Sequence, residues 1–272
     1  MKNILNQFSN FTPLKIILLV ALSTLLIVWL IFTPPGILGK ANAIGYAVCH
    51  QIPSHSFQIG ERSLPLCARC TGMHLGALFG LIFHLFRGKR GLFPPFKLLI
   101  VFGLFLIAFG LDGINSYLTL LPPFDWIPDS YEPQNWLRLV TGVLLGTGIA
   151  AVIFPTFNQT IWKDWINEPA LKTWKQLGTL ILIAVGLIGL ILTELPVILY
   201  PLAILSTLNV LLLLSMIYTI LITMILKKEN QYTSLNQLIM SIIGGIILAL
   251  LQIAIMDYGR FYFTGTWEGF PL

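Results

Sequence analysis

Residues 98–121 read LLIVFGLFLIAFGLDGINSYLTLL, a long apolar run whose single charged side chain is that of Asp112. About 20 predominantly apolar residues are enough for a helix to cross the hydrocarbon core of a bilayer. A soluble domain keeps roughly a quarter of its residues charged, whereas 10% of this chain is charged and 56% is hydrophobic. The run therefore predicts a membrane-spanning helix, and the composition predicts that most of the chain faces lipid.

The chain contains several other runs of this kind, and the second of them begins a few residues before its apolar core, near Leu66. We predict an all-α fold, a polytopic transmembrane bundle of about seven helices that has the lipid bilayer as its surroundings. The predicted spans are residues 14–32, 72–86, 98–121, 136–154, 176–193, 196–226 and 235–256.

The formal charge of +5 does not predict nucleic-acid binding, because the basic residues lie in short loops between apolar runs. Lysine and arginine concentrate in the cytoplasmic loops of membrane proteins. The cluster RGKR at residues 87–90 stands at a span end, whereas Asp125 and Asp129 fall in a loop on the opposite side. We therefore predict a cell-membrane protein with its N-terminus inside and its C-terminus outside.

Four segments follow from this topology. Residues 1–33 form an N-terminal anchor span, residues 34–71 an outer loop, residues 72–155 a core membrane domain with spans two to four, and residues 156–272 a C-terminal module with spans five to seven. The motif Ala41-Asn42-Ala43 has the form of a signal-peptidase site. It lies too far beyond an apolar run that is itself too long for a signal peptide, so we predict an uncleaved anchor.

Every cysteine and histidine of the chain lies within residues 49–84, around the predicted outer loop. Cys67 and Cys70 form a C-x-x-C pair where the second span begins, so a helical turn places both on one face, which His74 would extend. Thiolate and imidazole ligands separated by a loop are typical of zinc sites, and iron accepts the same ligands. We predict a metal site, with zinc as first choice and iron as second, held by Cys49, His50, Cys67 and Cys70.

Two other interpretations of the cysteines stay open. Cys67 and Cys70 at a helix N-terminus, with Arg69 between them, should have lowered thiol pKa values and could exchange disulfides with a partner. A static disulfide is the third interpretation, because the outer compartment is oxidising. In both of these interpretations Cys49 has no disulfide partner, and His50 has no assigned role.

Charged residues inside the predicted spans form a second group of candidates. A carboxylate within the membrane is costly, so Asp112 is expected to face the bundle interior and to have a partner. Arg138 lies in the fourth span, at the same end of the predicted bundle as Asp112. The two side chains therefore either pair with each other or both face the Cys/His site. We treat Asp112 and Arg138 as candidate catalytic side chains, with a purely structural ion pair as the alternative. Asn135 is predicted to cap the fourth span, and Asp257 to be solvated at a helix end.

Two strings, CHQ at residues 49–51 and LPLCARCTG at residues 64–72, resemble the signature of a family of prokaryotic membrane proteins, domain of unknown function 2085. The resemblance covers roughly residues 45–150, and it marks Gln51 as part of the signature. It implies a small helical membrane domain and no known reaction, and it leaves spans five to seven as an added helical module. His74 stands where the resemblance implies an aromatic residue. The further positions that carry it are Asp112, Gly113, Asn135, Arg138, Thr141 and Gly142.

The leading hypothesis for function is a membrane-embedded metal-binding protein, which would be an enzyme if one ligand position is open to water or substrate. Asp112 would then act as general base or orient another group. Arg62, Arg69 and Arg138 would neutralise an anionic substrate group, such as a lipid phosphate or a carboxylate. The alternatives are a thiol–disulfide oxidoreductase and a non-catalytic assembly factor or transporter.

Overall fold

The computed structural model describes residues 13–119 and 131–269. Within these two ranges the chain forms eight α-helices and only short strands, which confirms the predicted all-α class. The helices are α1 (Pro13–Phe32), α2 (Ile37–Val48), α3 (Ala68–Leu85), α4 (Phe96–Leu118), α5 (Asn135–Ile161), α6 (Trp174–Leu192), α7 (Pro196–Ile225) and α8 (Leu235–Thr264).

Six of the described helices, α1 and α4 to α8, are long and apolar enough to cross a membrane. The predicted second span corresponds to α3, which begins earlier than residue 72, as expected from the sequence. This helix is not among the six, because it carries Arg69, two histidines and several glycines. It runs through the bundle beside α5 and α7.

Short strands connect the helices at both ends of the bundle. β1 (Gln58–Ile59) and β2 (Arg62–Ser63) form an antiparallel hairpin between α2 and α3. β3 (Arg90–Leu92) follows α3 and pairs in parallel with β4 (Ile166–Pro169), which follows α5. A 3-10 turn, Pro53–His55, precedes the hairpin.

Several boundaries differ from the predicted ones. α5 continues beyond residue 154, through Pro155, to Ile161, and α8 extends beyond residue 256 to Thr264. The segment 34–71, predicted as a loop, contains α2. Hydropathy does not reveal α2, because its buried side is made mostly of glycine and alanine. The last two residues of the predicted third span, 120 and 121, and the following loop with Asp125 and Asp129 lie outside the described residues.

Glycines allow α3 and α5 to pack in close contact. A Cβ atom on Gly76 would lie 2.2 Å from the Val143 carbonyl oxygen, and one on Gly142 would lie 2.2 Å from the Arg69 carbonyl oxygen. Real Cβ atoms do not approach other atoms so closely, so only glycine fits at these positions. Small residues at a helix contact are a common way for helix backbones to approach closely in lipid.

The bundle has two distinct ends. At the cysteine end, α2, the start of α3 and the end of α8 meet, and the Tyr46 and Thr264 hydroxyls are 2.8 Å apart. At the basic end, the loops after α3, α5 and α7 meet, and the Lys163 amide donates to the Tyr232 carbonyl at 2.9 Å. Basic residues outnumber acidic ones threefold at this second end, which fits the predicted orientation. They are Arg87, Lys89, Arg90, Lys97, Lys163, Lys172, Lys175, Lys227 and Lys228, against Asp164, Glu168 and Glu229.

Candidate metal centre

The three cysteines converge at the ends of two helices. Cys49 ends α2 in an extended conformation, and Cys67 precedes the first residue of α3. Cys70 lies one turn further along α3, on the same face as Cys67. The three Sγ atoms all lie within 4.8 Å of one another, and all three thiols are free. The fold therefore brings together three of the four metal ligands that were predicted from the sequence.

The loop that carries Cys49 is fixed by Gln51 and by a tight backbone contact. Gln51 adopts a left-handed backbone conformation with φ of 54°. Its side-chain amide donates to the Pro65 carbonyl at 2.8 Å and to the Asn42 side-chain oxygen at 3.0 Å. A Cβ atom on Gly45 would lie 2.0 Å from the Pro65 carbonyl oxygen, so α2 rests directly on the chain that leads into α3. Gln51 thus positions Cys49 beside Cys67.

Arg260 of α8 holds the same loop from the other side. Its guanidinium donates to the carbonyl oxygens of Cys49 at 2.6 Å, Tyr46 at 2.8 Å and His50 at 3.2 Å. It also lies over the Tyr46 ring, 3.9 Å from the centroid. No pattern in the sequence predictions above had indicated Arg260. A charged side chain in the last turns of an apolar helix was the available signal.

The sulfur cluster is buried, and the pKa values of its thiols are shifted in opposite directions. Cys49 is 6% exposed and Cys67 is 1% exposed. The thiols of Cys67 and Cys70 donate hydrogen bonds to the Cys49 sulfur, which lowers the pKa of Cys49 well below its ordinary value. The same hydrogen bond to Cys49, together with burial, raises the pKa of Cys67 to about 12. The expected depression of the Cys67 pKa is therefore wrong, because its thiol donates to the Cys49 sulfur and Arg69 pairs with Asp112.

The His50 ring is not part of the sulfur group. Its Nε2 atom lies 3.4 Å from Nδ1 of His55, and the two rings meet edge to face with centroids 5.5 Å apart. Burial lowers the pKa of His50 and lowers that of His55 to about 4, so both rings are neutral at pH 7. Two neutral imidazoles can share one hydrogen bond, with one ring as donor and the other as acceptor, but 3.4 Å is longer than the usual length of such a bond.

The donor set fits a thiophilic metal ion. Zinc binds thiolate sulfur at about 2.3 Å, and tetrahedral ligands at that distance lie roughly 3.8 Å apart. The three sulfurs of Cys49, Cys67 and Cys70 are within 4.8 Å of one another already, so small side-chain shifts would meet this geometry. The backbone N–H of Cys67 also donates to the Cys49 sulfur at 3.3 Å, as befits a thiolate.

Asp112 pairs with Arg69 and not with Arg138, so the direct pairing of Asp112 and Arg138 considered above is not formed. The Arg69 Nε atom donates to the Asp112 carboxylate at 2.9 Å. The Tyr131 hydroxyl donates to the same carboxylate at 2.9 Å and the Thr141 hydroxyl at 3.4 Å. Asp112 is therefore fully engaged by donors from three elements.

Arg138 joins this network through Ser116. The Ser116 hydroxyl accepts from Arg69 at 2.9 Å and from Arg138 at 3.4 Å. Arg138 also donates to the Asn135 side-chain oxygen at 2.9 Å, and Asn135 donates to the Ser54 carbonyl at 3.1 Å. The prediction that Asn135 caps its helix is wrong, because Gln134 occupies the cap position and makes no side-chain cap. Asn135 instead ties α5 to the loop that carries the histidines.

The other predicted positions lie apart from the sulfurs. His74 is buried on α3, and its carbonyl accepts from the Asn209 side chain at 2.7 Å, but its ring is not part of the sulfur group. Arg62 is exposed on β2. Asp257 is buried and accepts a hydrogen bond from the Trp29 indole at 3.1 Å, so the expectation that it is solvated is wrong.

Comparison with known proteins places this region in a defined family. A family model described as "Predicted membrane protein (DUF2085)" matches residues 49–152, which include all three cysteines, Arg69, Asp112 and Arg138. An uncharacterised protein of Methanocaldococcus jannaschii is 32% identical over 124 residues, which are 45% of this chain and 72% of that protein. An uncharacterised protein of Methanothermobacter thermautotrophicus is 26% identical over 105 residues, 39% of this chain and 83% of that protein.

No solved structure matches the chain. The matched segment begins at Cys49 and ends within α5, so α6, α7 and α8 lie outside it, although α8 supplies Arg260 to the site. The signature strings, the family match and the similarity to the methanogen protein agree, and the chain belongs to the DUF2085 family of membrane proteins.

Proposed function

We propose that this chain is a membrane metalloprotein that binds one zinc ion, with iron as second choice, through Cys49, Cys67 and Cys70. The observation that carries this proposal is the convergence of three free sulfurs within 4.8 Å, contributed by two separate helix ends. Thiolate sulfur selects zinc, iron and other soft ions over calcium or magnesium. Gln51 and Arg260 hold the Cys49 loop in place, so the ligands are organised before an ion binds.

The fourth ligand decides what kind of site this is. His50 follows Cys49 directly, and its contact with His55 is 3.4 Å long, beyond the usual hydrogen-bond range. A rotation of the His50 ring therefore loses little and would give a closed Cys₃His site, typical of structural zinc. If His50 stays with His55, the fourth position is left to water or substrate, as in catalytic zinc sites.

We further propose that an open site acts on a lipid-like or anionic substrate on the outer side of the membrane. Arg69 and Arg138 share Ser116, and both bear on His50 electrostatically, so positive charge lies beside the cysteines. A bound ion would supply Lewis acidity or an activated water. Asp112, held by three donors, would orient Arg69 toward an anionic group, and the exposed Arg62 of β2 would add a further positive charge.

Metal analysis of the purified protein tests the proposal. We expect about one zinc or iron ion per chain in the wild type, and its loss in Cys49→Ser, Cys67→Ser and Cys70→Ser. His74→Ala is the matched control, because this buried histidine of α3 lies outside the sulfur group and should leave the metal content unchanged. His50→Ala distinguishes the two kinds of site. A closed Cys₃His site would release the ion in this variant, whereas an open site would keep it. A folded, metal-free wild-type protein with three free thiols would rule the proposal out.

The same sulfur geometry also favours a second candidate, a thiol–disulfide oxidoreductase. Oxidation of two of these thiols to a disulfide would release two protons and two electrons, which a partner disulfide would accept as it becomes two thiols. The attacking thiolate would be Cys49, whose pKa is lowered, and not Cys67. Alkylation before and after reduction would then show two of the three cysteines protected. A closed zinc site without turnover would instead suit an assembly factor or transporter.

A further inference from the structure

A large apolar cleft lies in the half of the bundle nearer the basic end, far along α3 from the cysteines. It encloses about 950 Å³ between α3, α5, α7 and α8. Its wall is almost entirely hydrocarbon, with Leu81, Phe154, Met216 and Ile246 among the lining residues. An apolar cavity of this kind does not hold ordered water, because water needs several polar partners. In a membrane, the available filling is lipid.

The cleft is open to the surroundings and has the length of a lipid chain. Leu85 and Leu235, which line it, are 68% and 65% exposed. Along α8 the lining runs from Leu235 to Leu250, about 22 Å at 1.5 Å per residue. One leaflet of a bilayer core is about 15 Å thick. An extended acyl chain entering from the basic end therefore fits along the cleft.

Ser215 and Thr219 line the cleft along α7, and its other polar side chains lie where it reaches the basic end. Lys89 lies there, with its ammonium 4.1 Å from the centroid of the Trp162 ring. Thr233 and Ser234 bring two hydroxyls and the N-terminus of α8, which favours anions. Lys89 pairs with Asp164 at 3.0 Å, but both side chains are substantially exposed, and such surface pairs are weak enough to be exchanged.

We propose that the cleft binds one anionic phospholipid from the leaflet at the basic end, with an acyl chain between α3, α5, α7 and α8 and its phosphate at Lys89. The charge at this end is complementary to such a headgroup, since the surrounding loops are strongly basic. Tryptophan beside the headgroup level is the usual arrangement at a membrane interface. The site is independent of the cysteines, so it stands whether or not they bind a metal.

Native mass spectrometry of the purified protein tests this, after exchange with an equal mixture of phosphatidylglycerol and phosphatidylcholine carrying identical oleoyl chains. We expect one retained phosphatidylglycerol per chain. Leu212→Trp fills the cleft and should abolish retention, whereas Leu221→Trp is the control, on the opposite face of α7 and similarly exposed. Thermal unfolding should show that both variants are folded.

A charge variant keeps the test decisive if Leu212→Trp does not fold. Lys89→Gln should lower the preference for phosphatidylglycerol over phosphatidylcholine about fivefold. Lys163→Gln removes the same charge from the same end, outside the cleft, and should leave the preference unchanged. Equal preference in the two lysine variants, no retained lipid in the wild type, or a change of oligomeric state in Leu212→Trp would each overturn the proposal.

Discussion

Replacement of Asp112 by Asn tests how the buried polar network supports the site. The change keeps the shape of the side chain but removes the negative charge that faces Arg69, whose side chain is only 13% exposed. Removal of one partner from a buried ion pair costs about 3–5 kcal/mol. The asparagine oxygen and the Ser116 hydroxyl still accept from Arg69, so we expect a loss at the lower end, about 3 kcal/mol of unfolding free energy.

Reversible unfolding of the purified protein in mixed micelles measures this loss. Arg69→Met should cost a similar amount, because Asp112 then keeps its charge without a cation at contact distance. The double variant Arg69→Met with Asp112→Leu should return close to wild-type stability, since a buried ion pair replaced by apolar groups is often neutral. If Arg69→Met and Asp112→Leu each cost about 3 kcal/mol alone, the coupling energy of this cycle should be about 6 kcal/mol. Additive single effects, or a stability change below about 0.5 kcal/mol in Asp112→Asn, would refute this reasoning.

The metal content of the same variant separates two roles of Asp112. None of the hydrogen bonds of Asp112 reaches a sulfur, so Asp112→Asn should keep its metal while it loses stability. Loss of the metal at unchanged stability would mean that the carboxylate acts directly on the site, and the structural assignment of the Arg69 pair would then be wrong.

Three further predictions concern other parts of the chain. Gly76→Ala places a methyl group 2.2 Å from the Val143 carbonyl oxygen and should lower the free energy of unfolding by about 1–3 kcal/mol. Gly103→Ala is the control, because its methyl group meets nothing within 4 Å. Equal thermal stability of the two variants would contradict the close contact between α3 and α5. Metal affinity in a chelator titration should fall at least tenfold per pH unit on acidification, because Cys67 must lose its proton, and a flat profile would exclude thiolate ligands. Arg260→Met should speed metal loss to a chelator without changing stoichiometry; an unchanged rate would remove its positioning role.

The helical architecture was largely predictable, because a membrane imposes a strong length and composition requirement on each span. The exceptions have physical causes. Hydropathy misses α2, whose buried residues are small and whose length is too short to cross a bilayer. It also ends the predicted fourth span at residue 154, just before Pro155, although α5 continues through this proline to Ile161. Polar side chains near an end of the bundle lower the hydropathy of a helix without ending it.

The sulfur cluster was predictable, and its surroundings were only partly so. Cys67 and Cys70 are linked by local helical spacing, which is independent of the rest of the fold. The ring direction of His50 depends on its contact with His55, and no spacing rule fixes it. The partner of Asp112 depends on which face of α3 packs against α4, so Arg69 could not be chosen over Arg138. Arg260 reaches Cys49 across 211 positions of sequence, where no local pattern operates.

Among the predicted spans, the helix that carries Cys70 is the one with the lowest hydropathy, and this follows from how it is packed. Of the 18 residues of α3, ten are buried, whereas Trp29 is the buried residue of α1. Where a helix faces other helices, and not lipid, it can carry charged and polar groups because its neighbours satisfy them. Asp112 does so for Arg69, and Asn209 for the His74 carbonyl. The low hydropathy of α3 is therefore the sequence signal of a helix that is largely packed against other helices, and such a helix can hold a thiol and a guanidinium inside a membrane.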